Sequence, residues 1–149
     1  NLEDLIQNYK EGKAIYRPIY NELNDYYYNK FFEYCYYRGN IIIGVDEVMS
    51  VAPNSAKLPE FYKAILTRGR ELKVALWSCT QRPKTIPLQI ISESTHFFVF
   101  DLNILNDRKR MVEVTGMPEF LERPSNLGGE HAFWYYNFKM DEPILAQLE

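Results

Sequence analysis

The sequence lacks the features that mark several specialised classes of protein. It contains no apolar run approaching the ~20 residues that a membrane-spanning helix needs, and its first residues are polar and charged, unlike a secretion signal. Its two cysteines, Cys35 and Cys79, match no zinc-binding spacing and suggest no disulfide framework. We therefore expect a protein of a reducing compartment with no integral membrane segment.

A global excess of basic residues is also absent, because the formal net charge is -3. A negative net charge is not typical of a nucleic-acid-binding protein, although basic groups confined to a narrow channel would not be visible in the net charge. The apolar fraction of 46% and the charged fraction of 25% are typical of globular proteins. A chain of 149 residues can form one domain with a hydrophobic core.

Predicted strands and helices alternate along the chain. The strands are expected at residues 13–19, 41–45, 73–79, 96–100 and 131–138, and the helices at 21–38, 59–68, 88–93 and 107–115. This alternation predicts an α/β fold with a mostly parallel sheet. Residues 41–45 show no polar alternation, so we expect that strand to be buried on both faces. Residues 1–140 would form the domain and residues 141–149 a polar C-terminal tail.

Aromatic residues are abundant in one segment. Many of the twelve tyrosines lie between Tyr20 and Tyr37, with Phe31 and Phe32 among them. This segment could be a subunit interface or a stacking platform for bases. It could equally be a thick amphipathic helix that packs on a sheet. Lys and Arg are sparse there, which favours packing.

Polar side chains follow two successive predicted strands. Asp46 and Glu47 come directly after the apolar run 41–45, and Gln81 follows the next strand. In phosphoryl transfer, one carboxylate holds a magnesium ion and a second acid or an amide orients the attacking water. The alternative for the acids is a cap just past a strand. Ligands of parallel α/β sheets bind beyond the carboxyl ends of the strands, where these residues are expected.

Two arginines, Arg68 and Arg70, lie between these strands at the end of a predicted helix. Arginine at a helix C-terminus interacts favourably with the helix dipole. The other interpretation is an arginine finger that reaches the phosphates bound by a neighbouring subunit. The spacing alone favours neither.

Four segments together resemble the FtsK/HerA family of P-loop ATPases in their order and spacing. They are IIIGVDEVMSVAP (41–53), LTRGR (66–70), SCTQRP (78–83) and the stretch 98–102 followed by DRKR (107–110). The family includes chromosome-pumping translocases, conjugation coupling proteins and genome-packaging ATPases of membrane-containing viruses. The resemblance covers residues 13–138 and implies a three-layer RecA-like core, incomplete at its N-terminus.

The resemblance also implies roles for individual residues, with ATP and Mg²⁺ as cofactors. Asp46 would coordinate the metal, Glu47 would be the catalytic base and Gln81 would sense the γ-phosphate. Arg68 and Arg70 would be the candidates for an arginine finger acting between subunits, and the sequence does not rank them. The phosphate-binding loop G-x-x-x-x-G-K-[S/T], which holds the nucleotide in this family, is absent from these residues. We expect it upstream of Asn1, so that this segment alone would be inactive.

The resemblance implies that the protein binds double-stranded DNA and assembles with copies of itself into a homo-oligomeric ring, expected to be a hexamer. DNA contacts would come from Lys57, Arg82 and Lys84, whose alternative role is ordinary solvated loop charge. The cluster 107–110 is either a solvated helix face or a subunit contact. Such a protein would be cytoplasmic or, if viral, virion-associated, with peripheral attachment to a membrane or capsid. The alternative function is a non-catalytic ring or scaffold subunit with a degenerate P-loop NTPase fold.

Overall fold

The computed structural model describes residues 1–53 and 57–148, which form two compact units, Asn1–Cys79 and Thr80–Glu149. The first unit contains α1 (Leu2–Asn8), a 3₁₀ turn (Tyr20–Glu22), α2 (Asp25–Arg38), β1 (Ile41–Val45), α3 (Val48–Val51), α4 (Glu60–Arg68) and β2 (Val74–Ser78). The second contains α5 (Leu88–Ser92), β3 (His96–Val99), α6 (Leu105–Thr115), a 3₁₀ turn (Pro118–Leu121), α7 (Pro124–Gly128), β4 (Ala132–Asn137) and β5 (Ile144–Gln147). Two prolines, at positions 53 and 59, predict a turn-rich loop over residues 50–59, but α3 extends to Val51. Residues 54–56 lie outside the described residues.

In the first unit, β1 and β2 pair in parallel, with Ile41 opposite Val74 and Val45 opposite Ser78. Helices α2 and α4 pack on each other, and the rings of Phe32 and Tyr62 meet edge to face with their centroids 4.7 Å apart. Both rings are almost completely buried. The parallel pairing of β1 with β2 confirms the predicted parallel arrangement for these two strands.

Residues 69–73 connect α4 to β2, and Gly69, the first of them, lies against the backbone of both elements. A Cβ atom at Gly69 would lie 2.6 Å from the carbonyl oxygen of Ile65 and 2.7 Å from that of Val74. Real Cβ atoms do not approach backbone oxygens so closely, so only glycine fits this position. The sequence correctly predicts that the helix stops here.

The opposite face of the β1–β2 pair is open. Ile42 of β1 is 74% exposed, and Trp77 of β2 is also exposed. The prediction that residues 41–45 are buried on both faces is therefore wrong for one face. Apolar residues occupy both faces of β1, but within the described residues the helices α2 and α4 cover only one side of the β1–β2 pair.

The aromatic segment forms α2, which begins after Asn24 and stops at Gly39 with φ 63°. The Asn24 side chain accepts hydrogen bonds from the backbone N–H groups of Tyr26 and Tyr27. The predicted start at residue 21 is too early, because residues 20–22 form a separate 3₁₀ turn. Tyr28 and Phe32 are buried, whereas Tyr26 and Tyr37 are exposed. The interpretation as a packing helix is confirmed for one face of α2.

Residues 13–19 do not form the predicted strand. Pro18 has no N–H group for a ladder, and Ile15 is exposed. The segment is held instead by the buried carboxylate of Glu22. This carboxylate accepts hydrogen bonds from the Tyr16 hydroxyl at 3.2 Å, the Ile19 N–H at 3.3 Å and the Leu2 N–H at 2.9 Å.

In the second unit, β3, β4 and β5 form a three-stranded antiparallel sheet in that order. Phe97 lies opposite Tyr136, and Trp134 lies opposite both Val99 and Leu145. The expectation of a mostly parallel sheet is thus wrong for this unit, because alternation of strands and helices does not fix strand direction. Residues 144–147, predicted to lie in a polar tail, form β5. The three-layer RecA-like core remains a prediction.

Helices in the described residues are not suited to crossing a lipid bilayer, since none combines the necessary length with an apolar composition.

Candidate functional site

The acids Asp46 and Glu47 lie immediately after β1, as predicted. Asp46 is exposed and Glu47 is partly buried. The Glu47 carboxylate accepts a hydrogen bond from the Met49 N–H at 3.1 Å and so caps α3. Glu47 therefore has the capping role that the sequence left open. This role engages one oxygen, Oε1, and does not conflict with a second role for the carboxylate.

The backbone around these acids is tied to the end of β2. The Cys79 N–H donates to the Val45 carbonyl at 2.9 Å, and the Val48 N–H donates to the Cys79 carbonyl at 2.9 Å. Asp46 and Glu47 thus lie in a turn whose flanking residues, Val45 and Val48, are both hydrogen-bonded to the backbone of Cys79. Desolvation, followed by the negative charges of Asp46 and Glu47, raises the pKa of the Cys79 thiol. Both carboxylates therefore act electrostatically on the end of β2.

The acids are suitable ligands for magnesium but do not form a protein cage for it. Mg²⁺ usually binds one or two carboxylates together with water and substrate phosphates. Asp46 offers an exposed carboxylate, which fits such a site. No group of three or more His, Cys, Asp or Glu side chains with metal-binding geometry occurs among residues 1–53 and 57–148.

The two arginines Arg68 and Arg70 are exposed and lie at the other end of the parallel pair, before β2 begins. At ~3.3 Å per residue, the five residues of β2 span roughly 16 Å. The first unit therefore keeps both arginines away from Asp46 and Glu47 of the same chain. Arg68 is the last residue of α4, so a favourable interaction with the helix dipole is available to it.

In the second unit, Gln81 is exposed in the loop that leads from Thr80 to α5. The neighbouring Arg82 donates from Nε to Oδ2 of Asp107 at 2.9 Å. Lys57, another residue that the sequence suggests for DNA contact, also forms an ion pair within the protein. Its ammonium nitrogen lies 2.8 Å from Asp25 Oδ2. Lys84 is exposed.

Sequence reasoning missed the position of Asp107, which is 0% exposed. The cluster 107–110 is therefore not a uniformly solvated face. A signal was present in the spacing, because Asp107, Met111 and Thr115 are four residues apart and all three are buried. An acid in phase with the buried face of a helix indicates a carboxylate with partners inside the protein.

A second aspartate cluster in this unit was also missed. Asp101 follows β3 and accepts hydrogen bonds from Arg123 Nη2 at 2.7 Å and from the Ser125 N–H at 3.1 Å. The Ser125 hydroxyl donates to the same carboxylate. Desolvation of the carboxylate raises the pKa of Asp101. The hydrogen bonds from Ser125 and Arg123, together with the positive charge of Arg123, outweigh this effect and hold the pKa below its usual value.

Comparison with known proteins gives a fold and no family. No protein-family model matches the chain, and no curated protein matches it. The similar solved structures include three of the genome packaging NTPase B204 from Sulfolobus turreted icosahedral virus 2. The complex with ATP-gammaS has a TM-score of 0.69 and 14% identity over 83% of this chain. The complexes with sulfate and AMP have TM-scores of 0.73 and 0.74 and identities of 14% and 12%, and each covers 100% of this chain.

The likeness establishes a shared fold alone. The chain spans 64% of the length of the protein in the first of these structures and 72% in the other two. The identities are too low to transfer an activity, a ligand or a residue role to this chain.

Proposed function

We propose that the chain is part of an ATP-driven motor subunit of the FtsK/HerA type that translocates or packages double-stranded DNA. The observation that carries this proposal is the pair Asp46–Glu47 at the carboxyl end of a parallel strand pair. The fold shared with a genome packaging NTPase supports it. Ligands of parallel α/β sheets bind at this end of the strands.

In this proposal each acid has a separate task. Asp46 holds Mg²⁺, directly or through water, because its exposed carboxylate can reach a metal-bound triphosphate. The ion would neutralise charge that develops on the transferred phosphoryl group. Glu47 orients the attacking water and accepts its proton, and its bond to the Met49 N–H fixes the carboxylate in place. Gln81 contacts the γ-phosphate and helps to align the water.

The arginines serve a neighbouring subunit in this proposal. Arg68 and Arg70 are exposed but lie at the opposite end of the strand pair from the acids. An arginine in this position can stabilise transition-state charge only at a site supplied by another chain. The arrangement therefore favours a homo-oligomeric ring, which we propose to be a hexamer.

DNA contacts in the ring would be made to the phosphate backbone by Lys57, Arg82 and Lys84. Few positive charges per subunit suffice when a ring repeats them. Lys57 and Arg82 already form ion pairs with Asp25 and Asp107, so each would have to exchange or share its partner. We therefore expect Lys84 to contribute most to binding, with affinity falling as salt concentration rises.

The decisive experiment is Glu47→Gln in the complete natural polypeptide. Glutamine keeps an oxygen that can cap α3, but it cannot accept the proton from water. We expect ATP binding to persist and hydrolysis to fall by at least ~100-fold, measured by phosphate release with Mg²⁺. Glu60→Gln, an exposed change in the first turn of α4, is the control and should keep full activity. Undiminished hydrolysis by Glu47→Gln would overturn the proposal.

The arginine assignment has its own test in mixed rings. Replacing Arg68 or Arg70 by alanine should reduce hydrolysis by at least ~1,000-fold if that residue is the finger. Adding Glu47→Gln subunits, which keep both arginines, should restore part of the activity by supplying the missing finger. Mixed rings that show no recovery would place the arginines outside the site of the neighbour.

A non-catalytic ring or scaffold subunit is the second candidate, favoured by the absence of a G-x-x-x-x-G-K-[S/T] motif from the 149 residues. A scaffold would assemble without hydrolysing ATP. Equilibrium binding of ATP-gammaS by the complete polypeptide separates the two candidates, since only the motor needs to bind the nucleotide.

A further inference from the structure

The loop at residues 80–87 joins the start of the second unit to α5 and carries Gln81. Its inner side is fixed, because Pro83 and Ile86 are buried, while Gln81 is exposed. The Thr80 hydroxyl accepts from the Arg82 N–H at 3.1 Å. The Arg82 carbonyl accepts from the Thr85 N–H and hydroxyl, both at 2.9 Å. These bonds order the backbone on both sides of Arg82.

Asp107 holds this loop from the first turn of α6. Its Oδ2 accepts from Arg82 Nε at 2.9 Å, and its Oδ1 accepts from the Lys84 N–H at 2.9 Å. The residue is 0% exposed, and a buried carboxylate is costly unless its oxygens are bonded. Because one partner is a side chain and the other is backbone, the two bonds fix the loop both in position and in orientation.

The same arrangement occurs a second time in this unit. Asp101 accepts from the side chain of Arg123 and from the N–H of Ser125, the residue two positions later. Both arginines are followed by proline, in Arg82-Pro83-Lys84 and in Arg123-Pro124-Ser125. Proline has no N–H, so the next amide is the first backbone donor available to a carboxylate that also binds the arginine. We refer to the two arrangements as the Asp107 anchor and the Asp101 anchor.

We infer that Asp107 is a positioning residue for Gln81, which it places for phosphate contact by anchoring the next three residues of the loop. This inference rests on the proposed function, in which Gln81 contacts the γ-phosphate. Gln81 is adjacent to Arg82, so displacement of the Arg82 backbone displaces Gln81 directly. A shift of ~1 Å in a positioning group can reduce turnover by about 100-fold.

The test uses Asp107→Ala, Gln81→Ala and the double variant in the complete polypeptide, with Asp101→Ala as the matched control. Each single variant at 81 or 107 should reduce kcat by about 10- to 100-fold with little change in KM for ATP. The double variant should be no slower than Gln81→Ala alone, because Asp107 acts through that residue. Asp101→Ala removes the acceptor oxygens of the other anchor and should leave kcat at the wild-type value.

Hydrogen exchange of the Lys84 amide gives a readout that does not depend on activity. We expect exchange to be slow in the wild type and at least ~10-fold faster in Asp107→Ala, because the buried acceptor is lost. Asp107→Asn, which keeps Oδ1 but not the charge facing Arg82, guards against failure of the alanine variant to fold. It should protect the Lys84 amide and still lower kcat.

Three results would overturn the inference. They are a double variant slower than Gln81→Ala by the full Asp107→Ala factor, unchanged Lys84 exchange in Asp107→Ala, and full activity of Gln81→Ala. The last of these leaves the motor proposal intact as long as Glu47→Gln is inactive. An active Glu47→Gln variant would instead remove the motor proposal, whatever the state of the Asp107 anchor.

Discussion

Asp46 in the first unit and Asp107 in the second have identical side chains, but one carboxylate is exposed to solvent and the other is buried. Asp46 is exposed at the end of β1, and its carboxylate has no hydrogen bond or ion pair within the described residues. Asp107 is fully buried, and both of its oxygens accept hydrogen bonds from the loop at residues 80–87. A carboxylate whose partners come from its own chain supports structure, whereas one left in solvent is available to a ligand.

The largest expected effect tests the exposed side of this comparison. Asp46→Ala should reduce Mg²⁺-dependent ATP hydrolysis by at least ~100-fold, because several kcal/mol of charge stabilisation would be lost with the metal. The free energy of unfolding should change by less than about 0.5 kcal/mol, because an exposed side chain without structural partners is removed. Phosphate release and a urea unfolding curve on the same variant measure the two quantities. A large loss of stability with normal turnover would reverse the roles assigned to the two aspartates.

The next effect tests the buried side. Arg82→Ala leaves the Asp107 carboxylate buried without its cationic partner and should lower the free energy of unfolding by about 3 kcal/mol. Arg123→Ala should cost only about 1 kcal/mol, because the Asp101 side chain is 27% exposed and keeps its bonds to Ser125. Denaturant midpoints of the two variants measure the difference. Equal losses would show that burial does not separate the two anchors.

The smallest effect concerns the pH dependence of the Asp101 anchor. The pKa of Asp101 is held below its usual value, so its contribution to stability is present above about pH 4 and is lost as the pH falls through the lowered pKa. Asp101→Asn removes this titration. The variant should therefore lose less stability than the wild type between about pH 4 and pH 2, measured by thermal unfolding. Parallel curves for the two proteins would contradict the pKa assignment.

Local signals in the sequence predict much of this fold. The apolar runs at 41–45 and 73–79 predict β1 and β2, and Gly39, Gly69 and Gly116 correctly predict the ends of α2, α4 and α6. These features depend on residues that are near one another in the chain. Helix ends in particular are set by local chemistry, such as the left-handed backbone of Gly116 at φ 77°.

Features that depend on distant partners could not be predicted in the same way. The strand expected at 13–19 needs a neighbour to pair with, and the direction of β4 is decided by its pairing with β3 rather than by its own residues. The candidate site shows the same division. Asp46, Glu47 and Gln81 stand out by their positions after strands, whereas Asp107 becomes visible only when the packing face of α6 is known.

The bonds between Cys79 and the turn after β1 have a consequence for how that turn can vary. Cys79 uses only its backbone N–H and carbonyl to hold Val45 and Val48, so many side chains could replace the thiol without loosening the hold. The two residues between those attachment points are Asp46 and Glu47. The turn should therefore tolerate substitution at position 79 but not the insertion of even one residue beside the acids. An insertion would separate the two attachment points and release both carboxylates from the end of the strand.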